Sequence, residues 1–236
     1  MSAPHFFATG VGLGPVALTG SEARHAARVL RIEPGEEITV ADGRGHVVRA
    51  RVIEVAREHV TADAFEERHV EQVRPTLTVW PAIAKNDKLD LVVQKLTELG
   101  VAAIRPWFAE RSVVRWDAAK RVAHADRWRT IALAASKQSR RAWLPEVADP
   151  VDLVEPSEAT VVLHETATMR LRTAVRSRVD GLALVVGPEG GLTEGEVDQM
   201  TAAGALAVTL GEQILRAETA SIAGAAAVLT LAEGLA

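Results

Sequence analysis

Two periodicities succeed one another along the chain. From Glu36 to Val55, EEITVADGRGHVVRARVIEV, apolar and polar residues alternate on both sides of Asp42-Gly43-Arg44-Gly45, the pattern of two half-buried strands joined by a tight turn. Ahead of it, SEARHAARVLRIEPGE has a short helical period with Ala23, Ala26, Val29 and Leu30 on one face and Arg24, Arg28 and Arg31 exposed. Pro34-Gly35 stops that helix. The polar run EERHVEQVRP, Glu66 to Pro75, reads as a linker. From Thr76 the grammar changes. TLTVWPAI predicts a strand, DKLDLVVQKLTELG an amphipathic helix closed by Gly100, and VAAIRPWF a second strand. A helix over Asp117 to Arg140 follows, then the strands ATVVLHE, LALVVG and ALAVTLG, each succeeded by a helix. Such alternation predicts an α/β fold with a mostly parallel sheet covered on both faces.

In open parallel sheets, ligands bind beyond the carboxyl ends of the strands. Three strand ends are unusual here: Leu163-His164-Glu165, Gly187-Pro188-Glu189-Gly190-Gly191 and Leu210-Gly211. If these strands are neighbours, their loops converge on one crevice. In the middle loop the glycines permit close backbone approach, and Thr193 with Glu196 forms a T-x-x-E capping box for the next helix. Such a helix start suits a phosphate, but Glu189 argues against an anion, and neither G-x-G-x-x-G nor G-x-x-x-x-G-K-[ST] occurs there. A neutral or cationic ligand with hydroxyls, amines or a sulfonium fits better. The alternative is a tight strand-to-helix turn with no ligand. Further on, GEQILRAETASIAGAAAVL places Ala220, Ala223, Gly224 and Ala227 at helical spacing, a face suited to close helix packing within the fold or across a dimer. Arg216, a lone arginine in an acidic region, is poorly explained by packing.

The chain's 236 residues allow two domains, drawn here at 1–73 and 74–236. With no cysteine, disulfides and thiolate metal sites or nucleophiles are excluded. The start MSAPHFFATGVGLG lacks the pattern of a signal peptide and no run approaches a membrane span, so a cytoplasmic protein is expected. The net charge of −4 hides segregation: residues 1–74 carry 9 Lys/Arg and 11 Asp/Glu, 80–145 carry 13 and 6, and 146–236 carry 5 and 14. A basic middle suggests a polyanion-binding surface, with solvated helix faces as the alternative. The histidines lack metal-ligand spacing, and no metal is expected. All five tryptophans fall in the basic middle, as core anchors first and stacking platforms for bases second.

GPEGGLTEGEV followed by LGEQILRAETA resembles the paired C-terminal motifs of the bacterial 16S rRNA uridine-N3 methyltransferases of the SPOUT superfamily. Further similarity lies in KNDKLDLVVQKLTELGVAAIRPWFAERSVVRW, in RWRTIALAASKQSRRAWLPEV, and in HFFATG with HAARVLRIEPGEEITVADG, so the resemblance spans nearly the whole chain. It implies a PUA-like N-terminal β-barrel for RNA and a SPOUT-type methyltransferase domain whose end threads into a trefoil knot. S-adenosylmethionine is the implied cofactor, 16S rRNA or the small ribosomal subunit the implied partner, and a homodimer the implied assembly. The cofactor residues it implies are Leu163, His164 and Glu165; Gly187, Pro188, Glu189 and Gly190; Leu210 and Gly211; and Ile214, Leu215, Arg216 and Ala220. Arg216 is the expected catalytic cation, and Glu189 or Glu218 orients the loop or takes the uridine proton. Candidate phosphate contacts are Arg24, Arg28, Arg31, Lys85, Lys88, Arg111, Arg115, Lys137, Arg140 and Arg141. Two departures from the family pattern stand out: Lys137 occupies a position usually held by Glu, and Gly211-Glu212-Gln213 replaces a stretch where Pro and Arg are common. A SPOUT enzyme for another rRNA or tRNA site, and a non-catalytic RNA-binding assembly factor, remain alternatives.

Overall fold

The computed structural model describes residues 3–84, 88–175 and 181–233. Its contacts divide the chain into two units, Met1–Gln72 with Ser136–Leu144, and Val73–Ala135 with Pro145–Ala236. The first division falls between Gln72 and Val73, where the sequence reading drew 73/74, and Ser136–Leu144, drawn from sequence within the second domain, goes with the first unit.

The first unit is a curled five-stranded sheet. Its elements are β1 (His5–Phe7), β2 (Gly14–Thr19), α1 (Gly20–Arg24), β3 (Glu37–Ala41), β4 (His46–Val55) and β5 (His59–His69), with strand order β1-β3-β4-β5-β2. The expected hairpin is the antiparallel β3–β4 pair, and its inward residues Ile38, Val40, Val48 and Ala50 are fully buried with Phe6 and Val60. Two expectations are corrected. The run read as a linker begins inside β5, where Glu66 and Glu67 lie opposite Arg49 and Val48 and are held by side chains, Glu66 by an ion pair with Arg49 and Glu67 by a hydrogen bond with His46 Nδ1. The predicted helix passes from α1 into a π-turn at His25–Leu30. A wider turn delays the helical face, so Ala23 and Ala26 are buried whereas Val29 and Leu30 are 66% and 43% exposed.

The second unit is a six-stranded, wholly parallel sheet, β11-β9-β10-β6-β7-β8. In chain order it comprises β6 (Thr76–Pro81), α2 (Lys88–Leu99), β7 (Ala103–Ile104), α3 (Ala118–Gln138), β8 (Glu146–Val147), β9 (Thr160–Leu163), α4 (Leu171–Val175), β10 (Gly181–Val186), α5 (Glu194–Ala202), β11 (Leu206–Val208) and α6 (Ala217–Glu233). Strand period splits the core between two faces. Leu182, Leu184 and Val186 of β10 join Leu77, Val79, Val161 and the buried Val92, Val93 and Leu96 of α2; Val185 faces Trp80, Trp107, Val162, Leu192 and Met200. Gly100, at φ +96°, ends α2 as expected, with Val101 N–H donating back to Leu96 O. The strand expected over 101–108 shrinks to Ala103–Ile104 before Pro106, which has no N–H for a ladder.

After the edge strand β11 the chain returns to the middle of the sheet, where α6 packs against β6, β10 and α2. On that path Gly224 has no room for a side chain: a Cβ would lie 2.9 Å from Leu184 and 3.1 Å from Leu163. The small-residue face therefore serves packing on the sheet. Among the described residues no helix is long and apolar enough to cross a membrane, and no group of His, Asp and Glu could hold a metal ion.

Candidate functional site

The three unusual strand ends belong to adjacent strands. Leu163 of β9 is in register with Val186 of β10 on one side and Val208 of β11 on the other, so all three chains leave the sheet at one level. Their loops enclose a cleft of about 290 Å³. Its lining includes Leu163, His164 and Glu165 from the first loop, Gly187, Pro188 and Glu189 from the second, and Leu210, Gly211, Ile214, Leu215 and Arg216 from the third, with Ala220 from α6. Of the residues assigned to a cofactor, Gly190 is the one absent from this lining. Its carbonyl instead accepts a hydrogen bond from Arg111 Nη1 at 3.0 Å.

The middle loop is held on several sides. A Cβ on Gly187 would come 2.9 Å from Leu192 Cγ, so the turn closes only around glycine. The predicted capping box is present: Thr193 N–H donates to Glu196 Oε2 at 2.8 Å and Glu196 N–H to Thr193 Oγ1 at 3.2 Å. Glu110 and Arg111 brace it from outside. Glu110 N–H donates to Glu196 Oε1 at 2.7 Å, the Thr193 hydroxyl donates to Glu110 Oε2 at 3.0 Å, and Arg111 also reaches Leu192 O at 3.4 Å. In the third loop, Thr209 Oγ1 donates to Gly211 O at 2.8 Å, and Ala220 N–H to Arg216 O at 2.8 Å joins that loop to α6.

The electrostatics centre on Lys88. Its ammonium lies 3.1 Å from Glu218 Oε1 and 3.6 Å from Glu189 Oε1, so it links α2 to the glycine loop and to the first turn of α6. Burial would raise the Glu218 carboxyl, but its own backbone N–H, Lys88 and Arg216 together hold it below the ordinary carboxylate range. Arg216 is exposed on the cleft, and Ile214, 81% exposed, forms an apolar lip beside it.

The candidate phosphate contacts fare unevenly. Lys88 and Arg111 serve the cleft and its loop. Arg115 donates to the carbonyls of Ala109 and Ser112, at 2.9 and 3.3 Å, and lies over the Phe108 ring. Lys137 is mostly buried against Glu22 at 2.8 Å, so the departure from the family pattern supplies a structural pair within the first unit. Arg141 is largely buried, which lowers its pKa to about 10. Arg24 pairs with Glu58 at 3.5 Å. Arg28, Arg31 and Arg140 are exposed and make no ion pair among the described residues, whereas Lys85 lies outside them. Trp80, Trp107 and Trp128 are core anchors; Trp116 stacks on His124, and Trp143 donates to Val70 O. Sequence reasoning missed the roles of Lys88, Glu110, Arg111 and Thr209 in shaping the site. For Lys88 the signal was its place at the start of an apolar-faced helix, where a phosphate role competed.

A family model described as "RNA methyltransferase domain" matches residues 71–229, and one described as "RNA methyltransferase PUA domain" matches residues 18–65. The chain is 39% identical over 230 residues to a Mycobacterium bovis protein named ribosomal RNA small subunit methyltransferase E, covering 92% of this chain and 88% of that one. The Bacillus subtilis protein of the same name is 31% identical over 220 residues, covering 87% and 86%. Among solved structures, the Neisseria gonorrhoeae methyltransferase E bound to S-adenosyl methionine superposes with a TM-score of 0.88 at 33% identity, covering 98% of each chain. A putative methyltransferase from Legionella pneumophila in complex with the same cofactor gives 0.87 at 29% identity over 98% of each chain. Both the residues matched and the fold place this chain in one group: it belongs to the RNA methyltransferase family with an N-terminal PUA domain.

Proposed function

We infer that the protein catalyses S-adenosylmethionine-dependent methylation of 16S rRNA, with N3 of a uridine as the acceptor. The observation that carries this reading is the cleft itself. Three in-register strand ends present backbone polar groups, apolar walls and the carboxylate of Glu189 to one ligand, with the exposed cation Arg216 at its side. The residues present fit the cofactor. Val186, Val208 and Leu210 suit a flat heterocycle, loop backbone groups suit ribose hydroxyls, and carboxylates suit a cationic centre.

When bound, the cofactor supplies an electrophilic methyl group on a sulfonium. The protein's part is to present N3 in line, remove its proton and stabilise the resulting imide anion. Arg216 supplies the positive charge next to the uracil carbonyls. Glu189, held by Lys88, orients the glycine loop. N3 lies on the Watson–Crick edge, so the target base enters unpaired or flipped. Arg28, Arg31 and Arg140 of the first unit contribute phosphate contacts. Two copies associate as a homodimer, and the exposed Ile214 and Leu215 are apolar surface suited to that contact.

Two measurements test this. Mass-spectrometric mapping of 16S rRNA from a deletion strain is expected to show loss of one 3-methyluridine; loss of a methyl from tRNA or another rRNA position would redirect the substrate. Arg216→Ala is expected to slow single-turnover methyl transfer by about 100-fold, the scale of removing one charge-stabilising group. An unchanged rate removes Arg216 from the mechanism.

A further inference from the structure

Lys88 was a candidate phosphate contact, yet its ammonium is taken up by two carboxylates that sequence separates widely, Glu189 and Glu218. Its side chain is 34% exposed and that of Glu218 only 16%, so this is a partly desolvated cluster, where charge is screened less than at the surface. Glu189 lines the cleft, and Glu218 lies on α6 between Ala217 and Ala220, which line it too. The other ionic groups of the lining are Glu165, Arg216 and Glu212, the last 4.0 Å from Arg170. Without Lys88 the cleft would be strongly acidic.

Excess negative charge matters for a particular reason, which rests on the methyl-transfer reading above. Methyl transfer breaks the bond between sulfur and methyl carbon, leaves the electron pair on sulfur, and forms the new bond at N3, whose proton passes to solvent water. The nucleoside therefore enters as a sulfonium and leaves as a neutral thioether, S-adenosylhomocysteine, with its remaining ionic groups unchanged. A strongly acidic cleft grips the cation. A less acidic one lets the sulfonium in without holding it so tightly that affinity no longer serves turnover.

We propose that Lys88 sets the ratio of affinities for the sulfonium cofactor and its thioether product by offsetting one of the two negative charges of the Glu189–Glu218 pair at the edge of the cleft. It is a positioning and charge-setting residue. It acts through Glu189.

Calorimetric titration of the full chain with S-adenosylmethionine and with S-adenosylhomocysteine tests this without any turnover. The readout is the ratio of the two dissociation constants, in which losses of shape common to both ligands cancel. Lys88→Met is expected to shift the ratio about tenfold in favour of the sulfonium, the scale of one unit charge across a partly solvated cleft at an effective dielectric of roughly 20. Lys88→Arg keeps the charge and is expected to stay within about twofold of the unmodified protein, and Glu189→Gln to shift the ratio about tenfold towards the thioether. A ratio in Lys88→Met within twofold of the starting value overturns the proposal, as does an equal shift in Lys88→Arg. If Lys88→Met fails to fold, Glu189→Gln decides, and a ratio unmoved there overturns the proposal as well. Binding of neither nucleoside by the unmodified protein overturns the methyl-transfer reading itself, whereas tight binding with an insensitive ratio sinks only the role of Lys88.

Discussion

The cleft at the three strand ends was singled out by its loop motifs and the basic middle of the chain by its charge, and they are built by different means. The cleft is made chiefly of backbone: glycines, strand ends and a helix cap fix where the chain can go, and the side chains that matter are few. The basic segment is made of long flexible side chains, and many of its charges are already engaged. Arg121 pairs with Asp152, Arg127 with Asp90, Arg129 with Asp126 and Asp149, and Arg115 with loop carbonyls. A glycine at a tight turn has one use. An arginine with five donors has many, and the nearest carbonyl or carboxylate competes with any polyanion.

The sharpest way to break this contrast is through a glycine. Gly187→Val puts branched carbon where even a Cβ lies 2.9 Å from Leu192 Cγ and 3.3 Å from Leu192 N, so the loop must shift. A loss of about 100-fold in S-adenosylmethionine affinity is expected, about 2.7 kcal/mol, read by calorimetry. Retained affinity would mean that the cleft is less dependent on backbone shape than its geometry indicates. The counterpart in the basic segment is Lys137→Met. Removing the ammonium leaves the Glu22 carboxylate, buried and bonded to Phe7 N–H at 3.2 Å, without its ionic partner. A stability loss of about 2 kcal/mol is expected, discounted from the fully buried case for residual exposure, and seen as a lower melting temperature. RNA affinity measured well below that temperature should not move.

These two cases also explain how far the sequence could be read. Five of the six strands of the second unit, all but the two-residue β8, together with the capping box and the convergence of three loops, were legible because each depends on local chemistry: alternation, a Thr and Glu three apart, glycines at strand ends. The π-turn at His25–Leu30 was not, since its width alters periodicity only after the turn has formed. The polar end of β5 was not, because Glu66 and Glu67 are fixed by partners on β4 rather than by apolar residues of their own. Membership of Ser136–Leu144 in the first unit depends on contacts such as Trp143 Nε1 to Val70 O at 2.8 Å and Leu144 N–H to Gly43 O at 3.0 Å, which no local pattern encodes. The Lys88 cluster is the same kind of case at the site.

Arg111 separates the two regions more finely, because it belongs to the basic segment by charge and to the cleft by contact. If the loop contact dominates, Arg111→Ala removes hydrogen bonds to Gly190 O and Leu192 O and weakens cofactor binding about tenfold, roughly 1.4 kcal/mol. The slope of log affinity for RNA against log salt should then stay constant. A changed slope with unchanged cofactor affinity would restore Arg111 to the phosphate surface.

The smallest effect is expected where the charges are least engaged. Arg28 lies in the π-turn and Arg31 follows it at φ +53°, a left-handed conformation that ends the helix and exposes the residue. Val29 and Leu30 between them are exposed as well, so the turn presents apolar and cationic groups together. Each of Arg28→Gln and Arg31→Gln is expected to lower RNA affinity about threefold at moderate salt and to reduce the magnitude of the salt slope by about 0.7 on a single-stranded target, one counterion's worth per phosphate lost. Cofactor affinity should be unaffected in both. Should neither slope change while Arg140→Gln alone reduces it, the phosphate surface of the first unit lies at the loop after α3. The π-turn then exposes Val29 and Leu30 for an apolar contact instead.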